Sequence, residues 1–579
     1  YQIARETYQA VKNQDINQAE TKLKLTHEKL LATQKSYRAL AWTRFIPFLG
    51  GYWRDGDHLI RAGLAGIEAG EIAIEAIKPY TDLLGLKGQS TFVSKSTDER
   101  IQTAVATMDK ITPKLGEISQ KLEIVKKEVE DINPDRYPAK FAKFAPQSQI
   151  AKFKTMTDEV TTLFISAKPL LEMAPTLLGE KEPKRYLVLF QNDKELRSTG
   201  GFITAYAIFK FDKGKMTVER SDDIYKLDEA KTKRFNAPPE ILKYHKNVYY
   251  WQLRDTNISP DFVASMKNFE ELYKSVSGKV EYDGIVTVDT HVLVEAMKIL
   301  GSIPAYGTNF TVDPDKRCNG CPQVIYELEA YADRPVAYEK GSRKDIIGVL
   351  LYQIMQKALG VSPGQYWGQL FQMAIQEIAE KHILVYMHED QAQNGVEAFD
   401  MGGRIKDYEA DFLHINDTNF AGAKSNMFVE HFVKQEINVE NDGSVTKTIA
   451  IDYKNPAPPS DCGLESGGLC LNGLLRNWLR VYVPKGSQLL EFKGSEMEVT
   501  TYEDLGKTVF GGFLVVRPLG TAQVVVKYKL PFKVGREKGY SLLIQKQPGT
   551  EGHEYTVIIN GKQIDKFPLK TDKEFKIKL

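Results

Sequence analysis

Over the first 180 or so residues the apolar positions follow a helical period. Ile16, Ala19, Leu23, Thr26, Leu30, Thr33, Tyr37 and Leu40 alternate spacings of three and four, the seam of a helix packed lengthwise against another. Ile101, Val105, Met108, Ile111, Leu115, Ile118, Leu122, Val125, Val129 and Ile132 form a second such seam. Between them, Leu59 to Ile77 is rich in Ala and Gly, which lets helices approach closely, and the segment Phe45 to Gly51 breaks the run. With a further helix over 149–178 and a polar helical lead-in from Gln2 to Gln14, the pattern predicts an antiparallel bundle of about four long helices over residues 1–182. The most apolar stretch, Ala62 to Ile77, carries Glu68, Glu71 and Glu75 on helical spacing and reads as an amphipathic helix, not a membrane span.

Pro183-Lys184-Arg185 opens a different regime. Strands are predicted over 186–191, 202–211, 216–219, 284–288 and 383–387, and helices over 260–276, 291–300, 344–359 and 364–380. Alternating strands and helices predict a layered α/β domain over residues 183–425. From Phe428 the period shortens to two, with turns such as Asn441-Asp442-Gly443-Ser444, which predicts one or two β-sandwich modules over 426–579. The expected fold class is therefore multidomain α+β: an N-terminal helical bundle, a central α/β layered domain and a C-terminal β-sandwich region.

A length of 579 residues agrees with three to five compact units. Lys plus Arg number 77 against 76 Asp plus Glu, a net charge of +1, which removes the global electrostatic case for nucleic-acid binding, so any charged site must be local. The sequence starts at Tyr1, and an upstream signal or anchor is expected. Four cysteines fall into two groups, Cys318 with Cys321 and Cys462 with Cys470, both in loop-like sequence. Two local disulfides are the favoured reading, against free thiols or zinc and redox chemistry, and they imply an oxidising, extracytoplasmic setting.

The densest unusual segment is Asn192-Asp193-Lys194-Glu195-Leu196-Arg197-Ser198-Thr199-Gly200-Gly201-Phe202, read as a loop between two strands. Arg197, Ser198, Thr199 and the backbone at Gly200 and Gly201 offer guanidinium, hydroxyl and N–H donors suited to a phosphate or carboxylate; the competing reading is a β-connection whose glycines permit positive φ. Arg220, Asp222 and Asp223 follow on the returning strand. The two carboxylates are hard donors suited to Mg²⁺, although successive strand residues face opposite ways. Arg254 precedes a predicted helix, and Arg343 and Lys344 open another, where cations oppose the helix dipole unless an anion is bound. The segment Asp417 to Asn426 is expected to be a polar loop whose Lys424 reaches the site or braces the junction. The nine histidines are dispersed, and no zinc-protease, nucleophile-elbow or Walker motif occurs.

Tyr186-Leu187-Val188-Leu189-Phe190-Gln191-Asn192, Glu195 to Phe202, Tyr282 to Asp289 and Ala423-Lys424-Ser425-Asn426 together resemble the bacterial domain of unknown function family 4012, a likeness expected to cover most of the chain, the helical lead-in included. That resemblance implies a membrane helix upstream and a body outside the cytoplasm. Residues 185–359 are more distantly similar to the LytR-CpsA-Psr phosphotransferases, which implies Mg²⁺, a cluster of arginines and a polyprenyl-pyrophosphate-linked glycan. Arg197-Ser198-Thr199-Gly200 keeps the Arg and Ser of that family's first motif and lacks its metal-binding Asp. The expected function is thus a membrane-anchored extracytoplasmic envelope protein that binds a pyrophosphate-linked lipid glycan or cell-wall glycopolymer, with glycopolymer phosphotransfer as its extension, the alternative being a noncatalytic structural or adhesive surface scaffold.

Overall fold

A computed structural model describes residues 16–80, 97–140, 145–246, 248–305, 307–333, 350, 353–354, 357, 363–463, 468–535 and 539–578. The two seams and the segments around them form four long helices: α1 (Ile16–Ala39), α2 (Leu49–Ile77), α3 (Thr97–Glu130) and α4 (Pro146–Leu177). Each packs on the next. The Ala/Gly composition of α2 has a direct geometric use. A Cβ at Gly56, Gly63 or Gly70 would stand 2.0 Å from the Tyr37 hydroxyl, 3.0 Å from a Leu30 methyl and 3.1 Å from a Leu23 methyl, so these glycines line the contact with α1. The order of those partners, descending in α1 as α2 ascends, makes the pair antiparallel. Ala62 and Ala65 face Val125 and Val129 of α3. The expected lead-in helix over residues 2–14 lies outside the described residues. Among the described residues no helix is long and apolar enough to cross a membrane.

Five strands form one mixed sheet in the order β5-β4-β1-β2-β3: β1 (Lys184–Arg197), β2 (Gly200–Asp212), β3 (Lys215–Asp223), β4 (Gly284–Asp289) and β5 (Ile383–Met387). β1 runs parallel to β4 and antiparallel to β2, and β5 runs antiparallel to β4. One face carries Leu187, Leu189, Ile285 and Leu384, which bury Phe262, Met266 and Phe269 of helix α5 (Phe262–Tyr273). Against the other face lies the end of α4: Leu170, Met173 and Leu177 meet Tyr186, Val385 and Met387 together with Ala392 and Val396 of α8 (Asp390–Ala398). Between α5 and α8 in the chain come α6 (Thr290–Leu300) and α7 (Pro363–Ala379).

Beside three small two-stranded pairings, two six-stranded sheets follow. The first has the order β11-β12-β9-β6-β14-β17, where β6 is Asp411–Asn419, β9 Leu475–Pro484, β11 Thr500–Asp504, β12 Lys507–Val516, β14 Tyr540–Gln545 and β17 Lys573–Ile577. The second has the order β10-β13-β8-β7-β15-β16, where β7 is Glu430–Val439, β8 Ser444–Lys454, β10 Gln488–Lys493, β13 Thr521–Lys533, β15 Glu554–Ile559 and β16 Lys562–Pro568. Their alternate apolar residues share one core, including Ile437, Ile449, Leu479, Phe510, Val526 and Val557.

Two segments depart from the expected pattern. Asn192–Arg197 is not a loop but the far end of β1, paired to β2 through bulges, and Asp417–Asn419 is the end of strand β6. The sandwich therefore takes a strand from before residue 426, and that strand sits between β9 and β14 in the interior of its sheet.

Candidate functional site

The β1–β2 hairpin tip is inserted between the α/β layer and the sandwich. Arg197 is 1% exposed; its guanidinium donates to Glu195 Oε1 at 2.9 Å and to the Asn419 carbonyl, and lies 3.8 Å from Asp255. Ser198 Oγ is 2.8 Å from the Ile258 carbonyl and receives Arg480 at 2.5 Å, while Asn416 and Gln547 donate to the Ser198 and Arg197 carbonyls. Thr199 is buried in the turn. Gly200 takes φ +121, with Gln191 2.0 Å from where its Cβ would be, and Gly549 crosses it so closely that a Cβ there would stand 2.7 Å from Gly200 Cα. Burial alone would raise the Glu195 carboxyl; Lys424 at 3.3 Å and Arg197 outweigh it and hold it below the usual carboxylate range. The Arg-Ser-Thr-Gly-Gly motif is thus a buried polar plug: the Arg197 terminal nitrogens and the Ser198 hydroxyl are used within the chain, Arg197 Nε and Thr199 Oγ1 have no partner among the described residues, and Lys424 braces the junction.

Of the other predicted site residues, Arg254 lies beside the plug, whereas Arg220, Asp222 and Asp223 do not. Arg220 is exposed and donates to the Gly278 carbonyl at 3.1 Å; it pairs with Ile208, eight residues along β2 from Gly200, roughly 27 Å away. Asp222 meets Lys226 at 2.7 Å, and Asp223 caps the short helix Ile224–Glu229 by accepting from the Tyr225 N–H. Arg254 bonds Asp228 at 2.7 Å and reaches Asp255 at 3.8 Å, so Arg197 and Arg254 approach the same carboxylate from two sides. Arg343 and Lys344 lie outside the described residues. Both expected disulfides are present, Cys318–Cys321 and Cys462–Cys470. Cys318 packs with Leu469 and Leu471 from the second disulfide loop, so the two loops meet at the α/β–sandwich junction.

Two of the concave regions among the described residues lie on the α/β layer or at its junction with the sandwich. One is an apolar groove of about 350 Å³ on the α4 side of the mixed sheet, lined by Leu177, Tyr186, Val188, Phe190, Phe209, Phe211, Met216, Val286, Val288, Val385 and Met387 among others. The one hydroxyl in that lining, on Tyr186, is spent on the Leu177 carbonyl at 2.6 Å. The other is a polar pocket of about 330 Å³ at the junction, where Asp193 and Lys194 of the plug face Asp417, His431, Tyr453, Asn477, Glu551 and His553.

Four of the nine histidines, dispersed in sequence, come together in two pairs that the spacing does not reveal. Parallel pairing of β7 with β15 brings His553, the residue before β15, to His431, their rings 3.9 Å apart. Burial pushes the His431 imidazole down to about 3 and lowers His553 as well. In the α/β layer His291 and His382 stack at 4.2 Å, with Glu377 2.8 Å from His291 and Asp289 2.6 Å from His382. Burial disfavours the charged His291, but the Glu377 carboxylate outweighs it and raises the imidazole; the Asp289 carboxyl is raised by burial. Asp417–His431–His553 and His291–Glu377–His382 are the groups of three among the described residues whose ligand atoms lie within 4.8 Å of one another; neither includes Asp222 or Asp223.

Residues 181–316 match a family described as "Protein of unknown function (DUF4012)". The match takes in β1 to β4 and therefore the whole plug, but neither the helical lead-in nor the sandwich, so it covers less of the chain than expected. No curated protein matches the chain. Among solved structures, a crystal structure from Legionella pneumophila, described provisionally as a nutrient binding protein, aligns at 9% identity over 26% of this chain with a TM-score of 0.18. The chain spans 54% of that protein's length, and at this score the likeness carries no argument.

Proposed function

We propose that the protein is an extracytoplasmic, membrane-associated envelope protein that binds a lipid-linked ligand, with the hydrocarbon in the apolar groove of the α/β layer. The observation that carries this reading is the groove itself: a concave surface of about 350 Å³ whose lining offers no polar group to a guest, on strands whose backbone groups are already paired in the sheet. Such a surface suits methylene groups, each worth about 0.8 kcal/mol when removed from water. Two further features agree with a setting beside a membrane. The disulfides belong to an oxidising compartment. The turn between α1 and α2 exposes Trp42, Phe45 and Phe48, the last 93% exposed, among the exposed cations Arg38, Arg44 and Arg54, the composition of an interfacial contact. A glycan pyrophosphate with Mg²⁺, implied by the resemblance to the LytR-CpsA-Psr proteins, is the head group to test first. Arg197 and Arg254, already engaged by Asp255 and its neighbours, contribute nothing to its binding in this reading.

The test is native mass spectrometry of protein from a membrane-containing preparation, together with titration of a fluorescent long-chain alkyl probe. Val188→Phe and Val286→Phe fill the groove and are expected to weaken the probe at least tenfold while leaving circular dichroism unchanged. Absence of lipid together with probe binding indifferent to both substitutions would overturn the reading. The second reading, a noncatalytic structural or adhesive scaffold, is favoured by the plug, which ties the α/β layer to the sandwich through buried polar contacts. It predicts that groove substitutions leave the cellular phenotype intact and that deleting the sandwich abolishes it.

A further inference from the structure

We propose that Asp417, His431 and His553 bind one divalent ion of the zinc class at the junction pocket, with a coordination position left open toward the pocket. The three residues come from both sheets of the sandwich: Asp417 from the end of β6, His431 from the start of β7 and His553 from just before β15. Two imidazoles and a carboxylate form a donor set suited to zinc, and three protein ligands leave a position for water or a pocket ligand.

The independent evidence lies in how these groups are left by the rest of the fold. His431 is 6% exposed, its ring stacks on Tyr453 at 4.5 Å, and neither of its ring nitrogens has a hydrogen-bond partner; His553 Nε2 has none either. Burying an imidazole without partners is costly, and the great majority of buried polar side-chain atoms do find one. Asp417 is oriented for a further role. Its Oδ1 accepts from Tyr453 at 2.9 Å and from Asn477 at 2.5 Å, while Oδ2 stands 3.9 Å from His431 Nδ1. That separation is too long for a hydrogen bond, yet a few tenths of an ångström beyond the roughly 3.5 Å between two ligands of a tetrahedral ion bound at about 2.1 Å. Tyr453 and Asn477 thereby act as the outer groups that aim a ligating carboxylate. All three candidate ligands line the pocket, which gives an ion an entry path.

The second histidine cluster provides the control. His291 and Glu377 already bond each other at 2.8 Å, and His382 bonds Asp289 at 2.6 Å; none of the four lines the junction pocket. The experiment is equilibrium dialysis of the intact, tag-free chain against Zn²⁺, read by elemental analysis. Cobalt substitution is read separately by visible absorption. One Zn²⁺ per chain is expected, with His431→Ala and His553→Ala each weakening it at least 100-fold, Tyr453→Phe weakening it about 10- to 100-fold, and His382→Ala leaving it unchanged. If His431→Ala does not fold, the more exposed His553 carries the comparison. No uptake by the unsubstituted chain, uptake undiminished in His553→Ala, or uptake lost in His382→Ala alone would overturn the assignment.

Discussion

Arg197→Ala is expected to destabilise the junction by about 3–5 kcal/mol, the cost typical of removing one partner from a buried ion pair. The guanidinium is sealed from solvent, bonded to a carboxylate that is itself buried, and stacked near the Phe202 and Phe420 rings at 5.2 and 5.6 Å. Its loss leaves Glu195 to Lys424 alone and Asp255 to Arg254 alone, and leaves the Asn419 carbonyl without this donor. Native-state hydrogen exchange reads the effect where it arises: amide protection in the second half of β1 and in β6 should fall by two to four orders of magnitude, at about 1.4 kcal/mol per decade. Arg254→Ala, which removes a more exposed guanidinium from Asp228, should cost less. Equal effects of the two substitutions, or protection unchanged by the first, would contradict the plug as a stabilising element.

Acid should loosen the sandwich in two successive windows. His414 is fully buried in β6, with Nδ1 3.0 Å from the Gln545 carbonyl and Nε2 3.3 Å from the Asn416 amide nitrogen. These partners define a neutral ring whose Nδ1–H donates and whose Nε2 accepts. Burial pushes this imidazole down to about 4. Because the folded value lies below the unfolded value of about 6.5, the unfolded chain takes up a proton below pH 6.5 that the native chain refuses. The stability associated with this group is complete above pH 6.5, declines between about 6.5 and 4, and amounts to about 3 kcal/mol. Asp572 acts further down. Burial would raise its carboxyl, but Lys381 at 2.7 Å and Lys406 at 2.9 Å outweigh burial and hold it well below the usual range, so its contribution is lost only below about pH 4. The check is the thermal midpoint of the chain and of His414→Gln across this range. The two curves should converge as the pH falls from 6.5 to 4, and parallel curves would refute the assignment.

Where burial follows from apolar side chains, the sequence was readable. The seam containing Ile118, Val125 and Val129 became the buried face of α3, the Ala/Gly stretch became a close helix contact, and the paired cysteines became two disulfides. At the junction the rule inverts. Gln191 to Asp193, Glu195, Arg197 to Thr199 and the run from Asn416 to Asn419 are polar yet buried, because two domains supply each other's hydrogen-bond partners there, and polar sequence without period reads as loop. The histidine clusters left no trace in spacing, since strand pairing between distant segments assembles them. The groove was equally hidden: Val188, Val286 and Val385 announce a buried strand face, and nothing in their order shows that α4 covers only part of it.

The interior position of β6 bears on how the chain is made. Its parallel neighbour β14 and the outermost strand β17 are synthesised long after it, and β7 likewise waits for β15. Neither half of the sandwich can close before those strands are made, so the earlier strands stay exposed until β14 to β17 have been synthesised. A fragment begun at residue 426 would be born with a gap in its first sheet, two unsatisfied strand edges facing each other across it, and a tendency to aggregate instead of folding.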